Sequence, residues 1–472
     1  MAEQNDSKNK PATGVTDPSQ IVPVKEKIFF ALGDFASNIF WMPFIFWGTY
    51  FYTDVFAIPA GLVGVMFLVS RIFDTANDPI MGAIADRLSP KEGIGQYRPF
   101  LLRLAVPFGL IGAAAFFTPN AGEGARIAYA FITYLLFGMI YTGINIPYSA
   151  LMSVISKDPG ERKTVSFFRM IGAQGGGLFV SLAIPALVLS IGKGDEKIGY
   201  FGAMSLMAVL AVICWFVTYK NTRERTVPDK KVKGEGLKDF ASVFSNIHLW
   251  LLFIVAIFTN TAFTIRFSNV AYYFKYYADT AAVDKWGGQG VATGNFFFVG
   301  TIASLAGVGV MTFFIKRIDK KKLYVILMAL AAAVSAYFYF IPKNNIFAIY
   351  AAQIVFSFLT GPTAAILFAM YTDIAAYIKH KNGKSSDGLV MSVGSLSQKS
   401  GWAIGGSVAP ILLAFAGYKA GITQGEDALK VMQYMMSWIP MAPCVLGALA
   451  MLFYPLTDAK VAQITAELEQ RG

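Results

Sequence analysis

Apolar runs long enough to cross a bilayer recur along the whole of this chain, and that recurrence restricts its fold more than any single motif. Window reading gives twelve, near 28–52, 60–85, 99–118, 127–151, 165–191, 199–219, 247–275, 294–316, 323–341, 346–378, 388–417 and 431–454. Each is close to the roughly 20 residues a spanning helix needs. The expected fold is an all-α membrane protein. Composition agrees: 55% of the 472 residues are hydrophobic, 15% are charged and the mean hydropathy is +0.52. A soluble chain of this length carries about a quarter charged residues.

The net charge of +11 follows a pattern. Basic residues gather in alternate loops: Arg87, Lys91 and Arg98; Lys157, Arg162 and Lys163; Lys220 through Lys238; Lys316 through Lys322; Lys379, Lys381 and Lys384. The intervening loops hold Arg126, Lys193, Lys197, Lys285, Lys343 and Lys419 singly. The positive-inside rule makes the first set cytoplasmic, and an even number of spans then puts both termini there. The basic excess therefore sets topology, and no aromatic-interleaved basic patch points to nucleic acid. Residues 1–24 are polar, lack the apolar core of a signal peptide and read as a disordered cytoplasmic tail. Cys214 and Cys444 lie inside spans and suggest neither a disulfide nor a metal site. His248 and His380 are far apart, near span ends, which argues against a His-based catalytic site or a zinc cluster. With no nucleophile–base or metal constellation, the chain does not read as an enzyme, and no cofactor is expected.

The longest basic segment, 220–246, carries Pro228, Gly234 and Gly236 and reads as a cytoplasmic linker. It separates an N-terminal six-helix bundle, 25–219, from a C-terminal one, 247–454, with 455–472 as a second cytoplasmic tail. The halves echo each other. The fifth span begins Arg169-Met170-Ile171-Gly172-Ala173-Gln174-Gly175-Gly176, the eleventh Lys399-Ser400-Gly401-Trp402-Ala403-Ile404-Gly405-Gly406. In each, a cation precedes paired glycines by six and seven residues, and small residues let helices approach closely. The two cations are expected at related depths. Two pseudo-symmetric six-helix repeats with a substrate site between them describe the major facilitator architecture. Gly143 and Pro147 in the fourth span, and Gly361 and Pro362 in the tenth, interrupt corresponding spans, as transport paths do.

One apolar span carries a charged cluster, Ser70-Arg71-Ile72-Phe73-Asp74-Thr75-Ala76-Asn77-Asp78-Pro79. An intramembrane charge costs roughly 2.5–3.5 kcal/mol on insertion scales and marks a functional site. Arg71, Asp74 and Asp78 are spaced i, i+3 and i+7 and share a helix face. Two carboxylates one turn apart can close on a small cation, with Arg71 as their charge partner. A buried ion pair that only ties helices together would leave one carboxylate without a reason.

These residues resemble the glycoside–pentoside–hexuronide:cation symporters. The likeness rests on Gly33-Asp34-Phe35, Tyr52-Thr53-Asp54-Val55, Arg71 through Gly82, Gly95-Gln96-Tyr97-Arg98-Pro99-Phe100, Asn145-Ile146-Pro147-Tyr148, Tyr272-Tyr273-Phe274-Lys275-Tyr276-Tyr277 and Lys399, and covers nearly the whole chain after the tail. The resemblance implies a cation site at Asp74 and Asp78, with Asn77 beside them and Thr142 as an oxygen ligand, and cavity cations at Arg169 and Lys399. It also implies a multi-pass protein of the bacterial inner membrane, working as a monomer, that moves a sugar with Na+ or H+ by alternating access. The departures concern the sugar. Melibiose carriers of this family bind it through two aspartates; the aligned residues here are Asn38 and Asn145. Tryptophans of those carriers become Ser149 and Ala364, and a glutamine and a threonine on the eleventh helix become Gly394 and Ser395.

Two carboxylates with a hydroxyl or amide suit Na+, and the same carboxylates can take a proton. Asn77 and Thr142 favour sodium. Cation and sugar then raise each other's affinity by reciprocal linkage. Asp86 and Arg87 through Arg98 resemble the gating loop of facilitators. Arg266, well inside the seventh span, is a candidate cavity cation, and Trp41 and Trp402 can stack on sugar faces. Loss of two acids beside Arg169, Lys399 and Arg266 leads to the expectation of an anionic sugar, a hexuronide or short uronate oligomer. Against it, Asn38 and Asn145 can bind neutral hydroxyls. A cation-coupled lysolipid carrier of the same fold is the alternative cargo reading.

Overall fold

The computed structural model of the chain describes residues 18–87, 95–226, 244–315, 317–382 and 387–471. Twelve principal helices run in chain order: α1 Val24–Tyr50, α2 Ala60–Arg87, α3 Arg98–Ala114, α4 Glu123–Val154, α5 Pro159–Gly192, α6 Glu196–Asn221, α7 Ile247–Tyr272, α8 Gly288–Ile315, α9 Lys320–Phe338, α10 Ile346–Asn382, α11 Asp387–Phe415 and α12 Trp438–Leu452. Among the described residues there is no strand, as expected where hydrocarbon forces every backbone group to pair within its own segment. Ten of these elements are long and apolar enough to cross a membrane, α12 together with the helix Glu426–Tyr434 that leads into it. The other two are α3, with 17 residues, and α11, which carries Ser395, Ser397, Gln398, Lys399 and Ser400 in one run.

Local chemistry sets the helix ends. Asp158, Asp195 and Asp319 each accept two backbone N–H bonds from the first turn that follows, at 2.6–3.4 Å, satisfying donors a helix start leaves orphaned. Lys193 closes α5 in the left-handed conformation, φ 46°. The breaks expected in the fourth and tenth spans do not occur: α4 runs through Pro147 and α10 through Pro362.

The halves repeat one packing. In the N-terminal half α5 lies on α1: a Cβ on Gly172 would meet the Ala31 carbonyl, and one on Gly176 would lie 2.9 Å from Asn38 Cβ. In the C-terminal half α11 lies on α7, with Gly401 against Asn260 and Gly405 against Thr264. This contact register corrects the expected alignment by one residue. Gly172 and Gly176 correspond to Gly401 and Gly405, so Arg169 corresponds to Gln398, not Lys399. Lys399 is turned about 100° further round its helix, since successive residues advance by that angle at 3.6 per turn.

α1 and α7 also end alike, each in a five-residue π-helical turn, Phe51–Val55 and Tyr273–Tyr277. The two turns meet across the halves, and aromatic packing continues inward, with Phe46 stacked on Phe297 at 3.9 Å. Gly64 of α2 lies against Ile411 of α11, and Gly294 of α8 against the Ser181 carbonyl of α5. This end of the bundle is closed.

The terminal segments are more ordered than expected. From Pro18 onward the chain leaves the anticipated disorder: Ser156 Oγ donates to Gln20 O at 2.7 Å, Lys157 N donates to Gln20 Oε1 at 2.8 Å and Val22 is buried. The C-terminal tail forms a helix, α13 Asp458–Arg471, held to α9 and α10 by Lys320–Asp458 at 3.2 Å and His380–Glu467 at 2.7 Å. Arg225, within the expected linker, pairs with Glu26 at 2.6 Å; residues 227–243 lie outside the described residues.

Candidate functional site

Continuous helix through Pro79 keeps Asp74 and Asp78 on one face of α2, turned toward α4 and α11. Arg71 Nη1 lies 3.0 Å from Asp74 Oδ2. Asp78 Oδ1 accepts from Thr142 Oγ1 of α4 at 3.0 Å, and Asp78 Oδ2 is paired with Lys399 Nζ of α11. Asn77 is half-buried one residue away. Gly138 of α4 faces Asp74: a Cβ there would sit 2.8 Å from Asp74 Oδ1. The structure thus gathers Arg71, Asp74, Asp78, Thr142 and Lys399, and it does so across the two halves. Gly138 gave no sequence signal, being one of 44 glycines.

The residues aligned with the sugar ligands lie elsewhere, in a polar track within the N-terminal half. Arg169 makes a two-pronged bond to Asp34, Nε to Oδ2 at 2.7 Å and Nη2 to Oδ1 at 3.1 Å. It stacks over Tyr148, 4.6 Å from the ring centre, and reaches Ser149 Oγ at 3.4 Å. Asn38 Nδ2 donates to the Asp34 carbonyl at 2.8 Å. Asn145 Oδ1 accepts from Ser37 at 2.8 Å, and its Nδ2 donates to Tyr141 O at 3.1 Å. Sequence reading passed over Asp34 as a partner, although a lone carboxylate inside an apolar span is a signal of the kind that flagged Asp74.

Between the halves lies a cavity of about 320 Å³, within the range of small-molecule sites. Trp41 and Arg71 line it from the N-terminal half; Asn260, Thr264, Gln398 and Trp402 from the other. Trp41 is stacked on Tyr141, ring centres 4.8 Å apart, and carries the Arg71 guanidinium 4.3 Å above it. One side chain therefore joins the cavity wall to the carboxylate pair.

Arg266 is not a cavity residue. It is fully buried in the C-terminal half between Phe338 and Phe356, 4.5 and 4.6 Å from the ring centres. It donates to Gln353 Oε1 at 3.0 Å and to the Met436 carbonyl. Its spacing in the seventh span could not reveal which face of α7 is covered by α9, α10 and α12. The echo's cations part company as well: Arg169 serves its own half, and Lys399 reaches into the other. Of the expected gating loop, residues 88–94 and the side chains of Asp86 and Arg87 lie outside the described residues. Arg98 packs over Tyr219 of α6 at 4.9 Å and donates to its carbonyl at 2.8 Å. Beside it, the N–H groups of Gln96, Tyr97 and Arg98 hold the Glu224 carboxylate at 2.8–2.9 Å.

At the closed end Asp54 is the centre of a second cluster. Its carboxylate is fully covered and lies 3.3 Å from Lys275 Nζ. It accepts from Thr53 Oγ1 at 2.8 Å and from the hydroxyls of Tyr276 and Tyr418. Lys275 also donates to Tyr50 OH at 2.7 Å, and Thr53 Oγ1 lies 2.6 Å from Tyr272 OH.

Two six-helix halves related by a repeated packing, closed at one end around a central cavity, define a transporter of the major facilitator type. A family profile described as "MFS/sugar transport protein" matches residues 29–458, and the chain belongs to that family. It is 33% identical over 447 residues to the "Putative glycoside/cation symporter YagG" of Escherichia coli (strain K12), covering 94% of this chain and 95% of that one. It is 30% identical over 474 residues to the isoprimeverose transporter of Lactiplantibacillus pentosus, covering 98% and 95%. Among solved structures, the nucleoside transporter NupG superposes with a TM-score of 0.65 at 15% identity, covering 91% of this chain and all of that one; at that identity the likeness speaks for the fold.

Proposed function

We propose that this protein carries a sugar into the cell together with a monovalent cation, the cation bound at Asp74 and Asp78 and the sugar in the central cavity. Relatives named for glycoside and isoprimeverose transport support a sugar rather than a lysolipid. The observation that carries the mechanism is the pairing of Lys399, on the C-terminal half, with Asp78 on the N-terminal half. A cation entering at Asp78 competes with that ammonium, so its binding alters a tie between the halves. Arg71 links Asp74, one turn from Asp78, to Trp41 in the cavity wall, which gives sugar and cation a shared contact and hence reciprocal coupling.

Both termini are cytoplasmic in this reading, and the bundle is open toward the cytoplasm and closed outside by the Asp54 cluster. The two halves rock about the filled site. Two carboxylates with the Thr142 hydroxyl and the Asn77 amide form an oxygen set that suits Na+, and we assign Na+ ahead of H+. The working unit is the monomer in the bilayer of the inner membrane, and Arg98 anchors a gating segment to α6.

The test is uptake of labelled glycosides into proteoliposomes under an imposed Na+ gradient, then under an imposed H+ gradient. Accumulation above the external concentration with Na+ alone is the expected result. Accumulation with H+ alone replaces the ion assignment, and no accumulation of any sugar under either gradient overturns the reading.

A further inference from the structure

We propose that the central cavity selects uncharged glycosides against carboxylated ones, and that Gln398 is the position that sets this choice. The proposal rests on the sugar-symport reading and reverses the anionic expectation drawn from sequence. That expectation needed free cations. Each of the three has a partner elsewhere: Arg169 is held by both oxygens of Asp34, Lys399 by Asp78, and Arg266 is buried outside the cavity. Among the described lining residues one is charged, Arg71. Its guanidinium is bonded to Asp74 at 3.0 Å and laid over Trp41. Lys399 is not among the residues that line the cavity, and an ammonium freed when a cation displaces it starts from the α2 side of α11.

Gln398 stands where the packing register of the halves puts the counterpart of Arg169. In the N-terminal half that place holds a guanidinium, neutralised by Asp34 of α1. In the C-terminal half it holds an amide that faces the cavity. Across the cavity Gln174 presents a second amide. The hydroxyls of Thr259, Thr264 and Thr360 are bonded to carbonyls one turn back on their own helices, at 2.8–2.9 Å. Neither glutamine has a bond of that kind within the protein among the described residues.

A primary amide offers two donors and an acceptor. Sugar hydroxyls both donate and accept and can satisfy all of them. A carboxylate accepts only: it can take the N–H donors but leaves the amide carbonyl without a proton to accept, and its strong partner would be a guanidinium. Trp402, on which no ring among the described residues stacks, supplies a flat apolar face one helical turn from Gln398. The volume of about 320 Å³ suits one or two sugar rings better than a longer uronate chain.

The experiment uses the purified full chain with Na+ present. Tryptophan fluorescence is titrated with methyl glycosides and neutral disaccharides, then with the matching uronides. Neutral sugars are expected to bind, and uronides about tenfold or more weaker. In Gln398→Arg, uronide binding is expected to rise about tenfold, the scale of one charge-assisted hydrogen bond, and the gain should fade at high salt. Gln398→Glu keeps size and is expected to deepen the rejection of uronides, which controls for misfolding of the arginine variant. Uronides binding the unaltered protein as tightly as neutral sugars would overturn the proposal, as would an unchanged preference in both variants. If neither class binds, the sugar-symport reading itself fails.

Discussion

The two ends of the bundle are tied together by different chemistry. At the closed end, Asp54 and two π-helical turns bring Lys275, Tyr276, Tyr418 and Thr53 onto one covered carboxylate. One ammonium and three hydroxyls share that carboxylate, so many groups must part together for it to open. Toward the other end, the tie between described residues is Lys399 on Asp78, half-exposed and placed on a carboxylate that a small cation can take. The first tie is a latch whose strength is fixed by packing. The second is exchangeable: a solute can replace Lys399 without leaving the Asp78 carboxylate uncompensated, and the freed ammonium is half-exposed, so no fully buried charge is left unpaired. If the proposed cation binds at Asp78, that difference would let its binding report on one end while the other stays shut.

The comparison breaks most severely at the exchangeable tie. Asp78→Asn should abolish cation-driven accumulation, and Asp74→Asn should abolish or uncouple it, measured as uphill uptake in vesicles. Downhill sugar exchange should survive, because rocking requires a neutralised site rather than an occupied one. Normal uphill uptake in either variant would remove the cation site from α2. Next in size is the latch. Asp54→Asn removes the charge that Lys275 and two tyrosines share, and hydrogen bonds to a charged group contribute about 1.5–3 kcal/mol. The closed end should then open more often by a factor of roughly 10–100, read as faster thiol labelling of a cysteine placed at Thr49, which lines the cavity beneath this end. Unchanged labelling would mean that packing alone, such as Phe46 on Phe297, keeps this end shut.

Legibility followed the same divide. The spans, the two halves and the Asp74–Asp78 face were readable because hydropathy, charge and 3.6-residue spacing are local properties of a segment. Arg71 shares that face by the same spacing, whereas Thr142 came only through the family resemblance, and Lys399, expected in the cavity, pairs with Asp78 instead. Tertiary direction was not readable. Arg266 and Arg169 look alike as lone cations in apolar spans, yet one is sealed behind aromatic rings and the other grips Asp34. The glycine echo located the repeat but misaligned the cations by one residue, because a helix face turns about 100° per position and only contacts with α1 and α7 fix the register. Asp54 and Lys275 lay within the motifs that carried the resemblance, but nothing in either motif says that they meet.

Lys399→Ala sharpens the comparison from the other half. Without the ammonium, Asp78 has no competitor for the cation, so cation affinity should rise severalfold while coupled transport falls. Titration of sodium-dependent fluorescence and vesicle uptake read the two effects separately. A variant that fails to reach the membrane while Asp78→Asn does reach it would make Lys399 a folding residue. An affinity that falls would make Lys399 part of the cation site's own support.

The smallest expected effect is at Gly138. It has no charge and no side-chain donor, yet it sets how near α4 comes to Asp74. A Cβ at this position would lie 2.8 Å from Asp74 Oδ1, too close for a carbon–oxygen contact, so Gly138→Ala must displace the carboxylate by a few tenths of an ångström or tilt α4. The carboxylate is a movable side-chain end, and alanine is a better helix former than glycine, so the fold should persist with an unchanged melting temperature. Displacing Asp74 strains its 3.0 Å bond to Arg71 and detunes the oxygen set, and cation affinity should drop about two- to fivefold, which is under about 1 kcal/mol. Sugar affinity without cation should not move. A drop in both would mean that Gly138 spaces the helices generally, and no drop in either would place the cation further along α2, nearer Asp78 and Thr142.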